Sequence, residues 1–140
     1  MYAFPRLFFR KEGAAAVEFA LVAPLFFMTV LTMIGYGVYL SASHSLQQIA
    51  ADAARTAIAG LTANERHSLA DTYIRTSITG YAFIDVSKVS FDVQDDVSNI
   101  DQFTVTISYD ASALPIWNLF TFAMPDREIT RYATIRIGGI

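Results

Sequence analysis

From Ala14 to Leu40 the chain runs 27 residues in which Glu18 is the only side chain charged at neutral pH. A helix of that length spans about 40 Å, against about 30 Å for bilayer hydrocarbon, so the stretch is long enough to cross a membrane with residues to spare. It also explains why a chain of 140 residues is 54% hydrophobic with a mean hydropathy of +0.38, too apolar for an ordinary soluble domain. The rest of the chain leaves room for one small domain. A cleavable export signal is the alternative for the first forty residues. Such signals have an apolar core of roughly 7 to 15 residues, about half of what is here, although Ser41, Ala42 and Ser43 offer small residues where a signal peptidase could cut.

Charge is divided unevenly about this segment. Arg6, Arg10 and Lys11 against Glu12 give the first 13 residues a net +2, and the 7 basic and 12 acidic residues that follow give −5. The positive end is expected to stay in the cytoplasm, which puts everything after Leu40 in the periplasm or, in a single-membrane bacterium, at the cell surface. With no cysteine, that domain is expected to rely on its core and its partners rather than on disulfides. An acidic mature part also argues against nucleic acid as a partner, because phosphate backbones call for a basic footprint.

Beyond Ser41 the pattern becomes amphipathic. Leu46, Ile49, Ala50, Ala53, Ala57 and Ile58 fall on one helical face and Gln47, Gln48, Asp52 and Arg55 on the other. Neither proline nor glycine interrupts Val38 to Ala59, which predicts one continuous helix ended by Gly60. Thr62 and Glu65 have capping-box spacing and open a second helix. Its apolar stripe is Leu69, Ala70, Tyr73, Ile74 and Ile78, Asp71 and Arg75 pair on the outside, and Gly80 stops it. The period then changes to two. Val89, Phe91 and Val93 alternate with Ser90, Asp92 and Gln94; Val105, Ile107 and Tyr109 alternate with Thr104, Thr106 and Ser108. Ile129, Ala133, Ile135 and Ile137 alternate less cleanly. An α+β fold follows: a long N-terminal transmembrane and amphipathic helix, a second helix, and a small antiparallel sheet of about three strands. Between the second and third strands, Leu114 to Met124 carries Pro115, Trp117, Phe120 and Phe122, with Pro125 next. It is too short to span a bilayer and reads as a cover over the sheet or as a contact surface.

The most informative stretch is Gly13-Ala14-Ala15-Ala16-Val17-Glu18-Phe19, with Pro24 just inside the apolar helix and Tyr36-Gly37 near its end. It resembles the processing region of type IV prepilins, specifically the TadE-like minor pseudopilins of tight-adherence (Flp, type IVb) pili. A basic leader ending in glycine, a glutamate five residues on and an aromatic residue after it are all present. The resemblance is sharp from about Arg10 to Gly60 and loose over the strands. It implies a pilin-like fold, cleavage between Gly13 and Ala14 by an aspartyl prepilin peptidase, and docking through Glu18 and Phe19. The implied partners are the inner membrane, that peptidase, other pilins and pseudopilins, and the pilus assembly platform. Major pilins of such systems are much shorter, so the portion beyond Gly60 suggests a priming or tip subunit or an assembly factor.

The residues carry a physical case beside the resemblance. A carboxylate five residues into an apolar helix costs about 2 to 3 kcal/mol on forgiving insertion scales and calls for a partner. Cleavage after Gly13 would create an amine on Ala14 that could meet Glu18 of a neighbouring subunit. The other reading of Glu18 is a boundary position reached by water or headgroups. Glycine at 13 offers least obstruction to a protease that must approach extended backbone, or it simply begins the helix. Ala14 to Ala16 permit close helix contact. Pro24 removes one helical hydrogen bond and is expected to kink or loosen the helix between Ala20 and Pro24, which either eases extraction from the bilayer or is a tolerated membrane proline.

No catalytic constellation is legible. His44 and His67 lie on different helices, and with no cysteine a zinc site would need carboxylates that lack ligand spacing. Asp92, Asp95, Asp96 and Asp101 lack the pattern of a calcium loop, and Asp96, Ser98 and Asn99 read as turn formers. Ser68 beside His67 is a chance pairing without a nucleophile elbow or phosphate loop around it. The expected organisation is a cytoplasmic leader over 1–13, a transmembrane helix over 14–40, its amphipathic continuation over 41–60 and an extracytoplasmic α+β head over 61–140. The expected function is a pilus-assembly subunit, not an enzyme, with no cofactor, metal or small-molecule substrate. An uncleaved single-pass protein with a binding or scaffolding domain and a membrane-tethered hydrolase are the alternatives.

Overall fold

A computed structural model describes residues 11–81, 83–99, 101–114 and 125–137. Residues 1–10, most of the leader expected over 1–13, and the apolar segment 115–124, with Trp117, Phe120 and Phe122, lie outside the described residues. The chain forms two compact units, one ending at Ile34 and the other beginning at Gly35. One helix, α1 (Lys11–Ala57), contributes to both.

Among the described residues of the first unit the helix is largely exposed. Phe19, Leu21 and Leu25 are each at least two-thirds exposed, and Val17, Phe26, Phe27 and Ile34 are exposed as well. The hydroxyls of Thr29 and Thr32 donate to the carbonyls of Leu25 (2.9 Å) and Met28 (2.8 Å), so these two hydroxyls are satisfied within the helix. Helix is assigned without a break through Pro24. Among the described residues this is the helix long and apolar enough to cross a membrane.

In the second unit α1 becomes the wall of a core. Leu46, Ile49, Ala50, Ala53 and Ala57 are buried, as their spacing predicts, and Ala42 and Ala54 join them. Ile58 departs from the expected face. The helix ends at Ala57, so Ile58 leaves the helical register and stands 43% exposed. Gly60 does not act through a left-handed cap. A Cβ there would lie 2.6 Å from the Arg66 amide nitrogen and 2.9 Å from its Cγ, so the glycine is needed for close approach of two chain segments. The second helix, α2 (Ala63–Ile78), begins as its capping pattern predicts. The Thr62 hydroxyl accepts from the Glu65 amide (3.2 Å), while the Glu65 carboxylate accepts from the amide of Leu61 (2.9 Å), one residue ahead of the cap. Ala70, Ile74 and Ile78 are buried, and Arg75 meets Asp71 at 2.5 Å on the outside.

The sheet has three antiparallel strands, β1 (Val89–Asp95), β2 (Gln102–Asp110) and β3 (Glu128–Arg136), in the order β1-β2-β3. Central β2 alternates strictly, with Phe103, Val105, Ile107 and Tyr109 buried. On the opposite face hydroxyls pair across strands, Thr104 with Thr134 (2.8 Å) and Ser108 with Thr130 (3.0 Å). The imperfect alternation of β3 has a cause. Arg131 occupies the core-side position between Ile129 and Ala133, and its guanidinium reaches the hydroxyl of buried Ser43 on α1. The Gln47 amide donates to the Tyr132 carbonyl (3.0 Å) and completes the seam between α1 and β3.

Candidate processing and docking site

Gly13, Ala14, Glu18 and Phe19 all lie within α1, and all are exposed. Nothing lies within 4 Å of where a Gly13 Cβ would be, so no contact inside the described chain demands glycine there. Glu18 stands among exposed apolar side chains, and no hydrogen bond or ion pair reaches it from the described residues. Phe19 is 71% exposed. Pro24 lies inside the same helix, exposed, followed by Phe26 and Phe27, whose rings meet edge to face at 5.8 Å. This surface offers an isolated carboxylate and uncovered apolar side chains, a set of groups suited to packing against lipid or other helices.

Several polar groups of the head hold the fold together. The Arg66 side chain is 8% exposed and its guanidinium grips Asp95 through two bonds, 2.5 and 3.2 Å. It also donates to the Gly60 carbonyl (3.3 Å) and lies 5.6 Å from the centroid of the Phe103 ring. This buried cation was missed in the sequence. Its signal is position, since Arg66 precedes Ala70, Ile74 and Ile78 at four-residue intervals and so shares their buried face.

The acidic residues of the β1–β2 region have separate tasks. Asp95 pairs with Arg66, and Asp96 accepts from the Ser98 amide (2.8 Å), the Ser98 hydroxyl and the Gln102 amide group, closing the expected turn. These bonds, the Ser98 hydroxyl first, hold the Asp96 carboxyl well below the usual range, at about 2. Asp85 and Asp110 are lowered in the same way by Ser87 and Ser112. Burial raises the Tyr109 hydroxyl, which donates to the Phe83 carbonyl at 3.2 Å. His44 and His67 stand apart on α1 and α2, and the His67 ring rests 5.5 Å from that of Phe91.

Comparison with curated proteins and with solved structures gives no match. Residues 13–55 match the family described as TadE-like protein, so from Gly13 nearly to the end of α1 the chain bears out its resemblance to TadE-like proteins.

Proposed function

We propose that this chain is a minor pseudopilin that acts in building tight-adherence pili by helix packing. The resemblance to TadE-like proteins, matched over residues 13–55, implies a component of that pilus system rather than an enzyme. The observation that carries the reading is the family match, which begins at Gly13, where the basic leader gives way to the apolar helix. In this proposal a prepilin peptidase removes the leader between Gly13 and Ala14. The helix over 14–40 stores the subunit in the inner membrane, its N-terminus cytoplasmic and its head on the far side. Glu18 receives the new amine of an adjoining subunit as the helices dock, which neutralises both charges in the apolar layer. The exposure of Glu18 and Phe19 supports this, because docking groups have to be reachable.

The test is the intact mass and N-terminal sequence of membrane-extracted protein from cells with and without the peptidase. A peptidase-dependent start at Ala14, lost in Gly13→Ala, is expected. A start at Met1 in both strains sinks the proposal and leaves an uncleaved single-pass protein, and a start near His44 means a secreted one. Once cleavage is established, Glu18→Gln is expected to preserve processing while lowering pilus output.

A further inference from the structure

The bond read as scissile lies inside a helix. Because α1 begins at Lys11, Gly13 is its third residue and the Gly13–Ala14 bond falls in its first turn. Glycine therefore does not begin the helix, which was one of its two expected roles. In the helical pattern each carbonyl accepts from the amide four residues on, which ties Lys11, Glu12, Gly13 and Ala14 to Ala15, Ala16, Val17 and Glu18. A protease that takes extended backbone can reach the bond only after these hydrogen bonds have opened. Where opening and closing are fast beside the cut, the rate of proteolysis follows the population of the open form.

Backbone propensity sets that population here. Residues Gly13 to Ala20 are all exposed, and nothing lies within 4 Å of where a Gly13 Cβ would stand, so no side-chain packing among the described residues holds this turn shut. Glycine is the poorest helix former after proline and alanine is the best, and in this chain Gly13 is followed directly by Ala14, Ala15 and Ala16. The helix is thus weak at Gly13 and firm immediately beyond it. Resting on the processing reading above, we infer that the peptidase takes this chain with the first turn of α1 unwound. Gly13 is a positioning residue that lowers the cost of the opening, and Ala14 to Ala16 limit how far and how often it spreads. The rate of leader removal is therefore built into the helix propensity of residues 13–17, apart from any fit of their side chains to the peptidase.

The test leaves Gly13 and Ala14 in place. Full-length chains in detergent micelles are cut by purified prepilin peptidase at substrate levels well below KM, with initial rates read by intact mass. Amide hydrogen exchange over residues 13–20, without peptidase, reports the opening itself. Ala16→Gly is expected to raise both the exchange and kcat/KM by about fivefold, the ratio that corresponds to the alanine–glycine difference of about 1 kcal/mol. Val17 is 62% exposed, and Val17→Ala, which removes a β-branch at no cost in packing, should slow both by about two- to threefold. Ala20→Gly, the same change further along the helix, should leave the rate as it was. If cleavage at Ala14 proceeds but Ala16→Gly and Val17→Ala change exchange without changing kcat/KM, or shift it in the opposite sense, the inference is overturned and the processing reading stands. A rate increase in Ala20→Gly equal to that in Ala16→Gly also overturns it, since the effect would not be confined to the turn that holds the bond. If a peptidase active on another prepilin leaves the wild-type chain uncut, the processing reading falls and takes the inference with it.

Discussion

Asp95→Ala should destabilise the head more than Arg66→Met, although both break the same ion pair. The asymmetry follows from exposure, since the Arg66 side chain is 8% exposed and that of Asp95 38%. Without Asp95 the guanidinium stays buried with only the Gly60 carbonyl and the face of Phe103 beside it. Breaking a fully buried pair costs about 3 to 5 kcal/mol, and these two remaining contacts bring the figure to about 2 to 3. In Arg66→Met the apolar stem is retained and the orphaned carboxylate turns to water, for about 1 kcal/mol or less. For a domain of this size each kcal/mol moves the midpoint by about 4 to 6 °C, so Asp95→Ala should lower Tm by about 10 to 15 °C and Arg66→Met by about 5 °C. Circular dichroism melting and urea titration of the full chain in detergent measure both. The double variant should recover much of the Asp95→Ala loss, because it removes the stranded cation. An Arg66→Met loss equal to or larger than that of Asp95→Ala would falsify this account, since it would mean that the guanidinium is not desolvated.

The depressed Asp96 carboxyl gives a pH signature. Its folded value of about 2 lies below the ordinary 3.8, so its contribution to stability is present above about pH 3.8 and is lost as pH falls from there through about 2. Asp96→Asn should flatten urea midpoints over that window. Gly60→Ala should destabilise by about 1 to 3 kcal/mol, because the new methyl meets Arg66 backbone atoms at 2.6 and 3.0 Å. Gly80→Ala, whose Cβ would meet the Ser77 carbonyl at an ordinary 3.5 Å, should be nearly neutral in the same melts.

The period-3.6 and period-2 patterns located the amphipathic part of α1, α2 and the three strands of the described residues, because in each a single face is withdrawn from water and the residues of that face must be apolar. The Glu18 region was legible for a different reason. Basic residues ahead of Gly13 and a lone carboxylate in an apolar helix are local features that need no folding to be recognised. Ile58 was misread since a periodic pattern carries on past the residue where hydrogen bonding ends. Gly60 was read as a cap because proximity to Arg66, the actual constraint, is not local in sequence.

The amino-acid order alone therefore determined the long apolar helix, the sequence of elements, the family resemblance and the candidate cleavage and docking residues. Tertiary structure decided which polar groups became internal. Arg66 is buried because Asp95, 29 positions away, arrives to neutralise it, and Arg131 faces the core side because the hydroxyl of Ser43, 88 positions away, accepts its hydrogen bond. Periodicity records only which residues avoid water, whereas pairing a charge or turning a side chain outward depends on chain segments that meet only once the fold has formed.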